Sequence, residues 1–236
     1  MKDGERTPQS EEVGEAEEAS SFAAVPCLAA LIETILRLLP FDPAASFAVL
    51  ELGGGTGILA AALLARFPNA RLTMLEESSP LRTAAERRLS AAGARAEVLG
   101  RSFARDELPR GFDVVVSLLR LHALEEIARR SVYRSVYAAL VPNGMVLIGD
   151  HTRPASTGVQ ELYARTLPPI EGSRRGLLLA NELPWLGTVG FRDIDIHYKN
   201  LDYAVYGGRR PTAVDFRLVV EEIEEKKAPP LPPRRR

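Results

Sequence analysis

Residues 47–57 read Phe-Ala-Val-Leu-Glu-Leu-Gly-Gly-Gly-Thr-Gly, a β-rich run that meets a cluster of glycines. The apolar run Ile58 to Phe67 follows directly and has the length and the alanine and leucine content of a helix. A second β-rich run, Arg71 to Leu75, is followed by the acid Glu76, about twenty residues after the glycines. Strand, glycine turn, helix and strand in this order predict a βαβ unit that binds an adenosine-containing cofactor.

The spacing of the glycines indicates which kind of cofactor this unit binds. The dinucleotide fingerprint is Gly-x-Gly-x-x-Gly, which presents a helix N-terminus to a pyrophosphate. Here an acid is followed by glycines at every second position, at Glu51, Gly53, Gly55 and Gly57. An acid so close to the turn suits a cationic ligand better than a phosphate. The pattern therefore disfavours a nicotinamide-dependent oxidoreductase.

With these residues the chain resembles the class I S-adenosylmethionine-dependent methyltransferases, whose first motif has an acid at the end of strand one and this glycine spacing. The resemblance continues in the correct order over roughly residues 25 to 211. It implies a Rossmann-like α/β fold with a seven-stranded, mostly parallel sheet flanked by helices and with the last strand antiparallel. The further matching segments are Glu76 with Ser78, Pro80 and Leu81, then residues 112–117, 121–124, 140–148, 190–195 and 203–211.

The resemblance also implies S-adenosyl-L-methionine as the cofactor and assigns residues to it. Gly53 and Gly55 let the backbone approach the amino-acid part of the cofactor, where a Cβ would collide with it. Glu76 accepts hydrogen bonds from the two ribose hydroxyls, a role that suits a carboxylate with two oxygens. Glu51 lies near the cofactor's ammonium, and Glu77 borders the adenine. The whole set assigned to the cofactor is Glu51, Gly53, Gly55, Gly57, Glu76, Glu77, Arg101, Ser102 and Ser117.

One residue departs from the family pattern. Many members carry an acid just after strand three that binds the adenine amino group, and the aligned residue here is Arg101. Arginine has donors only, so it cannot accept from that amino group. Either Ser102 or a backbone carbonyl supplies the acceptor, or the affinity is low. Alternatively, Arg101 stacks on the base or pairs with Glu77.

Two histidines are the predicted proton acceptors. Methyl transfer requires positioned reactants and sometimes a base. His122 and His151 both follow strands whose carboxyl ends face the ligand edge of an open sheet, and imidazole titrates near neutrality. Asp150 is a candidate to orient His151, a structural role stays open for both histidines, and His197 is interpreted as structural. The sequence has no cluster with metal-ligand spacing, so no metal is expected.

Hydrophobic periodicity predicts the elements around this motif. A helix over Val25–Leu39 stops at Pro40. The two closing strands form a hairpin joined at Lys199 and Asn200. The other predicted elements are strands at Phe112–Ser117, Met145–Gly149, Phe191–Tyr198 and Leu201–Tyr206, and helices at Val159–Thr166 and Arg174–Leu183.

Composition favours a single enzyme domain. A chain of 236 residues with 46% hydrophobic residues can bury a sizeable core. Its formal net charge of -1 gives no footprint for bulk nucleic-acid binding. The single cysteine, Cys27, is interpreted as a buried thiol in a reducing cytoplasm. No apolar stretch reaches the roughly 20 residues that cross a bilayer, so no membrane contact is expected.

These features divide the chain into three parts. Residues 1–20 form an acidic tail that is predicted to be disordered, residues 21–211 a methyltransferase domain, and residues 212–236 an extension with a basic, proline-rich tail. The predicted acceptor is a small molecule methylated at oxygen, nitrogen or carbon. A tRNA-modifying methyltransferase and a non-catalytic cofactor-binding module are the alternatives, and the oligomeric state is left open.

Overall fold

The computed structural model describes residues 25–165 and 176–212 of the chain. Those residues form seven β-strands, six α-helices and two 3-10 turns, at Ser90–Arg95 and Leu121–Ala123. The strands are β1 (Ala48–Leu52), β2 (Arg71–Leu75), β3 (Ala96–Leu99), β4 (Phe112–Leu118), β5 (Leu140–His151), β6 (Arg192–Asn200) and β7 (Tyr203–Arg209). The α-helices are α1 (Leu28–Leu38), α2 (Ile58–Arg66), α3 (Ser79–Leu89), α4 (Glu126–Ala139), α5 (Thr157–Ala164) and α6 (Leu179–Val189).

All seven strands form one sheet in the order β3-β2-β1-β4-β5-β7-β6. The strands from β3 to β5 pair in parallel, whereas β7 runs antiparallel to both β5 and β6. The predicted Rossmann-like sheet with an antiparallel last strand is therefore confirmed. The carboxyl ends of β1, β2, β4 and β5 meet at one edge, where open α/β sheets bind their ligands.

Helices cover both faces of the sheet and create two apolar layers. On one face α1 and α2 bury residues such as Leu31, Ile35 and Leu63. On the other face α4 and α6 bury Tyr133 and Leu186. Because β4 lies between the two layers, its sequence is a nearly continuous apolar run rather than an alternating pattern.

Helices α1 and α5 differ from the predicted ones at both ends, since α1 begins at Leu28 rather than at Val25 and α5 ends at Ala164 rather than at Thr166. α1 ends at Leu38, before Pro40, because the residue that precedes a proline is driven out of the helical conformation. α5 begins at Thr157 rather than at Val159, because the Ser156 hydroxyl accepts the Val159 N–H at 3.4 Å and caps the helix. The predicted helix Arg174–Leu183 starts outside the described residues, and α6 continues to Val189.

Strand β5 is longer than the predicted Met145–Gly149. Its register with β4 shifts, because Phe112 pairs with Leu140 while Val114 pairs with Met145. Residues 142–144 therefore form an irregularity inside the paired strand. The strand ends with Asp150 and His151 at the ligand edge of the sheet.

The predicted hairpin is formed by β6 and β7, but the predicted position of its turn is wrong. The turn lies at Leu201 and Asp202 rather than at Lys199 and Asn200. Asn200 is still paired with Tyr203 in the ladder, and Leu201 takes a φ of 46° that reverses the chain. This shift matters little for the sheet, since the pairing order is the expected one.

Several predictions about the chain as a whole stay untested. The tail at residues 1–20 lies outside the described residues, as does all of the 212–236 extension except Thr212, so the three-part division remains a prediction. Within the described ranges no helix is long and apolar enough to span a membrane. Cys27 is buried as predicted, and its burial raises the pKa of the thiol.

Candidate cofactor and active site

The glycine loop leaves β1 at the ligand edge and folds back over the end of β2. The N–H groups of Gly53 and Gly54 donate to the Leu75 carbonyl at 2.9 and 3.3 Å. Gly53, Gly55 and Gly57 have φ angles of 63°, 57° and 79°, in the left-handed region that glycine adopts without a Cβ penalty. The alternating glycines are therefore required by the backbone conformation of the loop.

Glu76 ties this loop to the end of β2. Its Oε2 accepts from the Gly55 N–H at 2.9 Å, and its Oε1 accepts from the Ser78 N–H at 2.9 Å. The residue is only 5% exposed. A carboxylate offers about four acceptor positions, so the group can accept two further hydrogen bonds from a ligand.

Glu51 lies buried beneath the loop, at the carboxyl end of β1. A Cβ at Gly54 would lie 3.0 Å from Glu51 Cδ and 2.1 Å from Met74 Sδ, so the backbone passes directly over both side chains. Gly54 is thus required by close packing. The alternating glycine pattern gives no sign of this role, because Gly54 lies between its positions.

Two side chains cover Gly53 from the opposite side of the site. Arg120 Nε donates to the Gly53 carbonyl at 2.7 Å. A Cβ at Gly53 would lie 2.9 Å from both Arg120 Cγ and Phe103 Cε1. Arg120 therefore brings a guanidinium to the mouth of the loop, a role that the sequence analysis did not assign. The signal for it in the sequence is an arginine two residues after the fourth strand, which ends at Leu118.

The segment after β3 borders the other end of the loop. The Ser102 N–H donates to Asp106 Oδ2 at 2.7 Å, while the Ser102 hydroxyl is buried without a hydrogen-bond partner in the described parts of the chain. Arg101 is exposed. Glu77 forms its ion pair with Arg105, so the predicted alternative of an Arg101 to Glu77 pair is not the one observed.

A histidine and an aspartate form a close pair at the ends of β4 and β5. His122 lies in the 3-10 turn after β4, and its Nδ1 is 2.6 Å from Oδ1 of Asp150, the penultimate residue of β5. Asp150 is fully buried, whereas the His122 side chain keeps 30% of its surface exposed. Asp150 also accepts the N–H groups of Leu121 at 2.8 Å and of His122 at 3.2 Å, which fixes the turn relative to the strand.

The environment of His122 makes it a better base than a free imidazole. Burial by itself lowers the pKa of the ring, but the hydrogen bond to Asp150 and the charge of that carboxylate outweigh it, so the pKa of His122 is raised. Since Asp150 Oδ1 is an acceptor, Nδ1 carries the proton in the neutral ring and Nε2 keeps its lone pair. The pair can therefore accept a proton from a ligand.

Comparisons with known proteins agree with this geometry. A family model described as a methyltransferase domain matches residues 50–146, which include the glycine loop, Glu76 and His122. The S-adenosylmethionine-dependent methyltransferase SibL superposes with a TM-score of 0.59 at 25% identity, over 82% of this chain and 62% of that chain. The predicted resemblance to the class I S-adenosylmethionine-dependent methyltransferases is therefore confirmed.

Two further similar proteins are both named as acetylserotonin methyltransferases. Acetylserotonin O-methyltransferase of Gallus gallus is 27% identical over 179 residues, which are 73% of this chain and 50% of that protein. Human N-acetylserotonin methyltransferase, solved in complex with S-adenosylmethionine, superposes with a TM-score of 0.58 at 18% identity, over 77% of this chain and 52% of that chain, and bears on the fold alone. The chain thus spans about half the length of these relatives.

His151, the second predicted base, lies behind His122 in this methyltransferase fold. It is 6% exposed, and its ring packs against Tyr203 with centroids 5.4 Å apart. Burial, followed by the nearby charge of His122, lowers its pKa. The prediction that Asp150 orients the His151 ring is wrong, because adjacent residues of a strand point to opposite faces. His151 gives Asp150 only its backbone N–H, at 2.7 Å, and the ring that Asp150 binds is that of His122.

Two residues assigned to the cofactor also have contacts within the protein. The Ser117 hydroxyl donates to the Leu52 carbonyl at 3.3 Å and is buried in the sheet. A Cβ at Gly57 would lie 3.4 Å from Ala85 Cβ, so this glycine faces α3. Their assignment to the cofactor stays a prediction.

A buried polar network of Arg129, Tyr133 and Glu182 contacts the segment that follows the His122 turn. Glu182 of α6 is fully buried and accepts from Arg129 Nε at 3.1 Å and from the Tyr133 hydroxyl at 2.6 Å. Arg129 Nη1 also donates to the Leu124 carbonyl, which follows the turn. No local sequence pattern indicates this network, since Arg129 and Glu182 are 53 residues apart. In the described ranges no group of three His, Cys, Asp or Glu residues could hold a metal ion.

Proposed function

We propose that this chain transfers a methyl group from S-adenosyl-L-methionine to the oxygen of a small hydroxylated molecule. The observation that supports this most strongly is the 2.6 Å hydrogen bond between His122 and Asp150, at the same edge of the sheet as the glycine loop. A hydroxyl must lose its proton when its oxygen is methylated. A histidine whose pKa is raised, and whose ring stays accessible, suits that task.

The residues around the loop fit the cofactor. Glu76 would accept from its ribose hydroxyls with the two acceptor positions that remain, and the buried Ser102 hydroxyl would supply a hydrogen bond to the adenine. Glu51 would lie near the ammonium and Arg120 near the carboxylate of the amino-acid part. When bound, S-adenosyl-L-methionine supplies an electrophilic methyl group on a sulfonium.

His122 would act as the general base of the reaction. Nε2 takes the proton of the acceptor hydroxyl while Nδ1 holds its hydrogen bond to Asp150. The buried carboxylate then stabilises the imidazolium that forms. Asp150 is a positioning residue here, because four donors of the protein occupy its two oxygens and it acts through His122.

Two further lines support a small acceptor. The Gallus gallus relative is named for acetylserotonin, a small hydroxylated indole, although that protein is about twice as long as the aligned part. The net charge of -1 also disfavours a tRNA substrate, which would require a basic face. Methylation at nitrogen or carbon and a non-catalytic module remain the alternatives.

A transfer assay separates these alternatives. The chain is incubated with methyl-labelled S-adenosyl-L-methionine and with acetylserotonin, related hydroxylated aromatics, the corresponding amines, and bulk tRNA. We expect label in one or more hydroxylated compounds and its loss in the His122→Asn variant. Label only in amines or tRNA would contradict the proposed acceptor, and cofactor binding without any transfer would favour the non-catalytic module.

A further inference from the structure

Glu182 of α6 is a fully buried acid that the proposed reaction does not use. Arg129 Nε and Nη2 each lie 3.1 Å from its Oε1, and the Tyr133 hydroxyl donates to its Oε2 at 2.6 Å. Tyr133 uses its single proton in this bond, so Tyr206 donates to Tyr133 across the 2.9 Å between the two hydroxyls. All three bonds present a donor to the carboxyl oxygens, an arrangement that suits an ionised carboxylate.

Arg129 connects Glu182 to the turn that carries His122. Its Nη1 donates to the carbonyl of Leu124, which directly follows that 3-10 turn. Its side chain is only 12% exposed, and its Cζ lies 5.9 Å from the centre of the Trp185 ring. The guanidinium is therefore held between the buried acid and the end of the turn, with an indole against it.

The charge of Arg129 is balanced by Glu182 and not by Asp150. Both carboxylates are fully buried, and burial followed by the charges of Glu182 and Asp150 raises the pKa of Tyr206. The two acids thus act on the same phenol. Arg129 bonds to Glu182, whereas the oxygens of Asp150 are occupied by other donors. The negative charge of Asp150 therefore acts on His122.

Arg129 and Asp150 have opposite effects on the His122 ring. Burial lowers the pKa of His122, the hydrogen bond and charge of Asp150 raise it, and the charges of Arg120 and Arg129 lower it. His151 packs against the same ring with centroids 5.9 Å apart, and burial lowers its pKa, so it faces His122 as a neutral group. An Arg129 without its acid would oppose Asp150 more strongly.

We propose that Glu182 is a positioning residue for the His122 base. By pairing with Arg129 it holds the guanidinium on the Leu124 carbonyl, which keeps the turn in place. The same pairing neutralises a positive charge that would otherwise offset the stabilisation of the His122 imidazolium by Asp150. This role rests on the proposed function, because it concerns the base of that reaction.

The test is an NMR titration of the His122 imidazole in the full-length chain. Glu182→Gln keeps the size of the side chain and leaves Arg129 unbalanced, so the pKa of His122 should fall by about half a pH unit. A charge in direct contact shifts a pKa by roughly 1 to 3 pH units, and Arg129 bonds to the turn rather than to the ring. Glu182→Gln combined with Arg129→Gln removes both charges and should restore the wild-type value.

An unchanged pKa of His122 in Glu182→Gln would overturn the proposal, as would an equal fall in the double variant. Arg129→Lys keeps the charge balance but loses the forked donor set, so it should leave the pKa unchanged. A fall in Arg129→Lys as large as that in Glu182→Gln would indicate a structural role alone. If Glu182→Gln does not fold, Arg129→Gln decides, because removing the opposing charge should not lower the pKa of His122, and a fall would overturn the proposal.

Methyl transfer provides the second measurement. Its rise with pH should move to lower pH in Glu182→Gln by the same amount as the pKa of His122. A profile that stays in place while the pKa moves would overturn the role of Glu182 in the reaction. The titration requires no transfer, so a wild-type chain that methylates no acceptor would contradict the proposed function and would leave the charge balance to be decided by NMR.

Discussion

Glu76 and Asp150 are both buried at the ligand edge of the sheet, but the protein occupies different numbers of their hydrogen-bond acceptor positions. Glu76 accepts one backbone N–H on each oxygen, from Gly55 and from Ser78. Asp150 accepts two hydrogen bonds on each oxygen, and its donors are the His122 ring and the backbone N–H groups of Leu121, His122 and His151. A carboxylate has about four acceptor positions, so Glu76 has positions left and Asp150 has none.

This difference separates ligand binding from proton transfer. Glu76 can bind a ligand directly, because its remaining acceptor positions lie beside the glycine loop. Asp150 is saturated by the protein and can act on a ligand only through the histidine that it holds. Variants of Glu76 should therefore change cofactor affinity, whereas variants of His122 or Asp150 should change methyl transfer.

The largest effect is expected for His122→Asn. Asparagine cannot take a proton at the position of Nε2, so methyl transfer should fall by about 10²- to 10⁴-fold, the usual contribution of a general base. Affinity for S-adenosylhomocysteine, measured by calorimetry, should stay the same. The exposed His197→Asn variant is the control and should keep full activity. A comparable loss of cofactor affinity in His122→Asn would contradict the claim that His122 acts in proton transfer and not in cofactor binding.

The next largest effect is a loss of cofactor affinity in Glu76→Ala. Two hydrogen bonds to a charged acceptor contribute about 1.5 to 3 kcal/mol each, so S-adenosylhomocysteine should bind at least about a hundred times more weakly. Glu107→Ala is the matched control, because Glu107 is an exposed acid outside the site and its ion pair with Arg110 contributes about 0 to 1 kcal/mol. If Glu76→Ala lowered the free energy of unfolding as much as that of binding, the residue would be structural.

The cofactor residues from Glu51 to Glu76 can be predicted from the sequence more fully than the His122–Asp150 pair. The residues from Glu51 to Glu76 belong to one βαβ unit, so their spacing along the chain determines their arrangement in space. Asp150 reaches His122 across 28 residues, and the alternation of side chains along β5 turns it away from His151. Arg120 and the Arg129 to Glu182 pair depend on packing between separate elements, which no local pattern encodes.

A third and smaller effect concerns Asp150→Asn. The amide keeps one accepting atom and presents N–H donors to two others, so the free energy of unfolding should fall by about 1 to 3 kcal/mol. The pKa of His122 should also fall, because the hydrogen bond and the charge that raise it are lost. Denaturant unfolding and NMR titration of the imidazole measure the two changes.

The direction of the pH dependence follows from that pKa. His122 acts as a base only when neutral, so activity should rise as the pH passes its raised pKa, and this rise should move to lower pH in Asp150→Asn. The raised pKa also stabilises the fold below the unfolded pKa of about 6.5, and this contribution is lost as the pH rises through the folded pKa. A pKa of His122 that is unchanged in the variant would disprove the coupling.

The smallest effect is expected for Arg101→Asp. Arg101 is exposed, and Glu77 is paired with Arg105, so the substitution supplies an acceptor for the adenine amino group without breaking an observed ion pair. S-adenosylhomocysteine should bind about 1 kcal/mol more tightly, the net value of one hydrogen bond. Arg110→Asp controls for the change in charge. Weaker binding in Arg101→Asp would indicate that the arginine itself contacts the base.

The most direct test of the account is a calorimetric titration of the wild-type chain with S-adenosylhomocysteine and, separately, with NAD. The glycine loop, Glu76 and the buried Ser102 hydroxyl should bind S-adenosylhomocysteine with a dissociation constant of about 1 μM, or roughly 8 kcal/mol, and should give no heat with NAD. Heat with NAD and none with S-adenosylhomocysteine would contradict the assignment of this edge to a methyl-donor cofactor.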